Sequence, residues 1–234
     1  MRRLKGFRSV LLSLVILFFL AGCQAASTQR PKDTPSPASG ERADLGPQST
    51  RAKGEQRVLM VAVRFPDVTP KFDLDHIKRR AVTRLDDYLK AQSYGQTWIK
   101  PHFMGWVSLP DYISEYRVSP DNFQVNRSKV RKLIEDTMTA VEKRVDFSQY
   151  DSMLIIPGAF TLPGKGYGMI CYSANPGMLT GVRGNPGFVT LHSQGGQEFS
   201  KGIFVGTENA HLGMFAHDFF HTLGGVHDGK RLVP

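Results

Sequence analysis

The chain has 234 residues, with 30 Lys and Arg against 21 Asp and Glu, a formal net charge of +9, and only two cysteines. That length suits one domain or two small ones, and two cysteines exclude a miniature scaffold held by several disulfides. The positive excess lacks a dense basic run set among aromatics, which argues against a nucleic-acid-binding protein.

Arg2, Arg3, Lys5 and Arg8 precede an apolar run from Val10 to Leu20. The run is too short to cross a bilayer comfortably as a helix, and charge followed by a short apolar segment is the order of an export signal. It ends in Leu20-Ala21-Gly22-Cys23, which resembles the lipobox of bacterial lipoproteins. The resemblance implies removal of residues 1–22 as a signal peptide and a diacylglycerol on the sulfur of Cys23. The expected location is the bacterial cell envelope, exported and lipid-anchored at the outer membrane or cell surface, with the membrane touched through lipid only. Losing the four basic residues takes 30 to 26 against 21 acidic ones, a net +5. With Cys23 lipidated, Cys171 has no disulfide partner and reads as a small buried apolar side chain, the alternatives being a metal ligand or a nucleophile.

Residues 23–54 are rich in Pro, Ser, Ala, Gly and charge and poor in large apolar side chains. Such a stretch buries too little to order itself, so it reads as a tether, and 55–234 as the folded domain. The run Val58-Leu59-Met60-Val61-Ala62-Val63 predicts a buried strand ended by Pro66. Asp73 is a candidate cap for a helix carrying Ile77, Ala81, Leu85 and Leu89 at four-residue spacing, its basic residues on the solvated face. Ser93 to Trp98 turns the chain, and Ile99 to Leu109 reads as extended. Ser128 is the candidate cap of a second helix that buries Val130, Ile134, Met138, Val141 and Val145. Ser152 to Pro157 is a second buried strand, and strands alternating with helices predict an α/β arrangement.

Gly158 to Gly206 is glycine-rich, with extended pieces at 187–192 and a short strand at 202–205. Gly164-Lys165-Gly166-Tyr167-Gly168 lacks the spacing and the Lys-Ser/Thr ending of a phosphate loop. Asn209 is the candidate cap of a last helix that runs to about Leu223. Leu212, Phe215, Ala216, Phe219 and Phe220 give that helix several apolar faces, which predicts a central, buried element.

On this helix His217 and His221 lie one turn apart, so both imidazoles leave one face and can meet one metal ion. Gly224 suits a sharp turn at positive φ that returns His227 as a third ligand; Asp228 is the alternative. Three protein ligands with one position left for water is the layout of a catalytic zinc site. Tyr167 and Tyr172 are candidates to stabilise an oxyanion, or else packing residues.

The spacing H-x-x-x-H-x-x-G-x-x-H resembles the metzincin form of the zinc-peptidase motif. Further stretches occur upstream in order: the strand ending Phe65-Pro66-Asp67, then Ser93-Tyr94-Gly95, Gly105-Trp106 with Leu109-Pro110, and Asp146 to Asp151. Together with Phe215 to Gly224 they resemble the immune-inhibitor-A family of secreted bacterial zinc metallopeptidases. The resemblance spans roughly residues 55 to 228. It implies a zincin-like α/β (α+β) fold: a twisted mixed sheet, two main helices and a zinc-binding helix near the C-terminus, with the cleft below an edge strand. It also implies zinc as cofactor, His217, His221 and His227 as metal ligands, Asp218 as general base, and a protein or peptide substrate taken by a monomer. Asp218 stands where the family carries Glu, one methylene longer, roughly 1.5 Å of reach. Phe220 replaces a customary Gly, and the chain ends seven residues after His227, so a lower subdomain is expected to be missing. The alternative expectation is a catalytically inactive lipoprotein that binds protein or peptide on a peptidase scaffold.

Overall fold

The computed structural model describes residues 52–117, 126–162, 170–180 and 188–224, with the backbone of 226–227 and 230–231. Residues 1–51, which carry the signal, Cys23 and most of the tether, lie outside this set, as do Gly164 to Gly168, Tyr167 and Asp228. Among the described residues no helix is long and apolar enough to cross a membrane.

A five-stranded sheet forms the centre. Its strands are β1 (Gly54–Arg64), β2 (Thr97–Ser108), β3 (Ser152–Pro157), β4 (Cys171–Asn175) and β7 (Gly202–Gly206), in the order β2-β1-β3-β7-β4. The first four in that order are parallel, and β4 closes one edge antiparallel to β7. Two short pairs complete the strands: β5 (Leu191–His192) with β6 (Glu198–Phe199), and β8 (Val226–His227) with β9 (Lys230–Arg231). The sheet is thus mixed and mostly parallel, and its central strands read as continuous apolar runs because both faces are covered.

Strand alternation divides the core cleanly. Leu59, Val61, Val63, Met153, Ile155, Ile203 and Val205 face helix α2 (Arg127–Val141), while Val58, Met60, Ala62, Leu154, Ile156 and Phe204 face two helices on the other side. These are α1, spanning 74–92, and α3 (Leu212–Leu223). Asp73 caps α1, accepting from the His76 N–H at 2.7 Å, and Ile77, Ala81, Leu85 and Leu89 are all buried. The helix is not uniform: Lys78–Thr83 is a π segment, which brings Val82 into the buried set beside Ala81. A four-residue stripe carries no trace of that inserted turn, so periodicity alone misses it.

The sequence motifs outside α3 turn out to be structural joints. Gly105, at φ 66°, sits where the β1–β2 register slips between Met60 and Ala62, as a bulge requires. Asp146 caps the 3-10 turn Phe147–Gln149, and Asp151 accepts from Arg57 Nε and Nη2 at 3.1 and 3.0 Å, tying the start of β3 to β1. Two expected caps differ. Asn126, not Ser128, caps α2, accepting from the Lys129 N–H at 3.2 Å; the Ser128 hydroxyl donates to the Asn126 side chain. Nor does Asn209 cap α3. Its amide is used across the chain, accepting from Thr161 N and Thr207 Oγ1 and donating to Thr161 O, so His211 holds the cap position without a side-chain bond.

Two glycines of β7 let α3 lie directly on the sheet. A Cβ at Gly206 would stand 2.4 Å from Phe215 Cε1 and 3.0 Å from Cys171 Sγ; one at Gly202 would stand 2.4 Å from Thr222 Cβ and 3.2 Å from its Cα. Phe215 and Thr222 are buried and cannot swing away. Gly206→Ala and Gly202→Ala are each expected to destabilise the chain by about 1–3 kcal/mol. Thermal unfolding of the full chain would register each as a melting point about 5 °C lower.

Candidate metal centre

Four consecutive residues of α3 point in four directions, because each step turns about 100° around the axis. His217 is exposed, Asp218 enters the gap toward β4, Phe219 packs on Phe204 of the sheet (centroids 5.6 Å apart), and Phe220 packs toward Tyr88 of α1 (6.4 Å). Phe220 therefore fills the seam between the two helices on that face. The apolar residues of α3 anchor it on two sides, so the His217 side is held at a fixed angle to the sheet edge.

One turn after His217, the half-buried His221 presents its ring on the same face. The two Nε2 atoms are 3.1 Å apart and the rings are edge to face, at 81°. Two nitrogens bound tetrahedrally to one ion at zinc–nitrogen distances would be roughly 3.3 Å apart, so the spacing fits a shared metal. Ligand atoms of His217, Asp218 and His221 all lie within 4.8 Å of one another. The group could hold a metal ion. It carries the donor types suited to a borderline divalent metal: two imidazoles and one carboxylate within reach.

Asp218 is only 6 % exposed. Its burial pushes the carboxyl up from the usual range, opposed by a hydrogen bond from the Cys171 thiol, the nearby His217 and the Ser173 N–H. Cys171 is pushed well up by its own burial and by Asp218. Cys171 and Ser173 both belong to β4, so Asp218 lies on the side of α3 that faces the edge strand.

The structure brings His217, His221 and Asp218 together. His227 falls in β8, four residues past the end of α3, and its side chain lies outside the described set. Gly224 does cap α3, but at φ −52° and ψ 126°, so the expected positive φ is not what turns the chain; an extended conformation carries it toward β8. Tyr172 is excluded from the site. It is buried among the α2-side core, the opposite face of the sheet from Cys171, and its hydroxyl finds no hydrogen-bond partner among the described residues. Alternation along β4 dictates this: neighbours on a strand cannot share a face.

Sequence reasoning did not reveal Cys171 and Ser173 as neighbours of Asp218. The expectation of a buried Cys171 holds, but nothing local shows what it is buried against. Comparison of the chain with models of protein families and with curated proteins finds no match.

Proposed function

We propose that the chain is a zinc-dependent endopeptidase of the bacterial cell envelope, exported and anchored by lipid on Cys23. The observation that carries this reading is the placement of two imidazole nitrogens 3.1 Å apart on one helix face, with a carboxylate of the same helix within 4.8 Å. His217 and His221 would hold zinc, with His227 as the third ligand. Zinc, when bound, polarises a scissile carbonyl and makes water more acidic. Asp218 would take the proton from the attacking water and pass it to the leaving amine, the part a carboxylate on the same helix can play as general base and acid.

The sheet supports the same reading. β4 is an antiparallel edge strand packed beside the metal helix, in keeping with the zincin-like arrangement that the immune-inhibitor-A resemblance implies. An edge strand beside a helix of this kind is where an extended peptide would add as a further strand, which favours a protein or peptide substrate. A second reading, a catalytically inactive peptide binder, is favoured by one feature: the short Asp218 side chain is buried, only 6 % exposed, rather than open to solvent.

The test is metal content and proteolysis of the full chain. One zinc per chain is expected, with cleavage of an unfolded protein substrate that a chelator stops and added zinc restores. Zinc without cleavage would select the binding protein, and a folded chain that takes no zinc would overturn the proposal.

A further inference from the structure

We propose that the outer face of α1 docks on the anionic phospholipid headgroups of the bilayer that holds the chain, a second contact beside the lipid that fixes which side of the domain faces the membrane. The setting rests on the envelope reading, because the anchor on Cys23 is what brings the domain to a bilayer. The charge of the face stands on the fold alone.

Between Asp75 and Asp86, α1 carries Lys78, Arg79, Arg80 and Arg84 and no acid. Lys78, Arg79 and Arg84 are exposed and Arg80 is half-buried. None of the four meets an acid at ion-pair distance among the described residues, whereas Lys90 further along the same helix holds Asp86 at 2.6 Å. On α2, Arg131 and Lys132 each pair with an acid one turn on, Glu135 at 3.0 Å and Asp136 at 2.8 Å. The π segment sharpens the cluster on α1. There the Arg84 N–H donates to the Arg79 carbonyl, closing a turn over five residues, so Arg84 comes to lie below Arg79. Like charges one turn apart cost a helix stability, and an anionic surface offsets that cost.

Two observations favour a membrane over another polyanion. Residues 52–54, the last of the proposed tether, are bound to the turn that follows α1: the Gly54 N–H donates to Gln96 O at 2.8 Å, and Thr97 Oγ1 donates to Ala52 O. The tether thus joins the domain at the foot of this helix. The same turn holds Tyr94 out at 93 % exposure, and Tyr is a side chain that settles at headgroup level. Since α1 and α3 cover the same face of the sheet, docking through α1 turns the metal helix's side of the sheet toward the bilayer.

The experiment sediments the mature chain, residues 23–234 with Cys23→Ser so that no lipid is attached, with vesicles of phosphatidylcholine alone or with about one-third phosphatidylglycerol. Wild type is expected to prefer the anionic vesicles roughly 10-fold or more at about 0.1 M salt, and to lose that preference at about 1 M, where charges are screened. Each cation near an anionic surface is worth about fivefold in partition, so Arg79→Gln/Arg84→Gln should lower it about 25-fold. Tyr94→Ala should weaken binding about threefold. Lys143→Gln/Arg144→Gln removes the same charge from an exposed site beyond the end of α2 and should stay within about threefold of wild type. Every substituted side chain is exposed, so the melting points should agree within about 2 °C. Equal binding to both kinds of vesicle, or an equal loss in the two double variants, overturns the proposal, as does tighter binding to duplex DNA at equal phosphate. A mature wild-type chain whose Cys23 carries no diacylglycerol by mass overturns the anchoring reading, whereas the vesicle preference would still uphold the docking face.

Discussion

On the proposed zinc site, alanine at His217 or at His221 is expected to lower the zinc affinity of the full chain more than 100-fold in each variant. Changes to groups that merely support a metal ligand cost about 10–100-fold, and loss of a ligand itself must exceed that. With the two nitrogens 3.1 Å apart, one ion would be shared between them, so neither histidine should hold it without the other. Neither side chain is part of the buried apolar core: His217 is exposed and His221 half-buried. Exposed substitutions away from special features change stability by about 0.5 kcal/mol or less. Wild type should also gain stability from zinc, about 2.7 kcal/mol at a concentration 100 times Kd. That gain should vanish in both variants while the metal-free melting points stay together. His192→Ala, at an exposed histidine beside Glu198, is the control that should leave zinc binding unchanged. The same titration on His227→Ala tests the third ligand.

The α/β architecture and half of the site were legible because their signals are local. Val58 to Val63 is a run that only a doubly covered strand makes sense of, and each of its six residues is fully buried. Ile77, Ala81, Leu85 and Leu89 mark α1, and Val130, Ile134, Met138 and Val141 mark α2, by spacing alone. His217 and His221 are legible for the same reason, since one helical turn fixes their neighbourhood. What escaped the sequence depends on other chain segments. Asn209 and Ser128 are both good caps by type, yet Asn209 is spent on Thr161, 48 residues away, and Asn126 takes the place of Ser128. The edge strand Cys171–Asn175 hides in a glycine-rich stretch, because five residues pairing with a strand 30 residues later carry no periodic signature. The nearness of Cys171 to Asp218 is of this kind too, and so is the burial of Tyr172 on the far face.

Asparagine at position 218 is expected to lower kcat by about 10²–10⁴-fold, the usual contribution of a positioned general base, while zinc stays bound. The amide keeps the shape of the acid, but it cannot take a proton from water. Because the change leaves His217 and His221 in place, zinc affinity should move within about 10-fold. KM should hold, since an interaction made only in the transition state is lost without altering substrate binding. The three measurements separate three roles for the carboxylate. Loss of zinc along with activity would make Asp218 a ligand, completing a set whose atoms already lie within 4.8 Å. Retained activity would remove it from proton transfer and leave it as a buried group between α3 and β4. Retained zinc with lost turnover is what the proposed peptidase role predicts for a buried acid on the same helix as the two histidines.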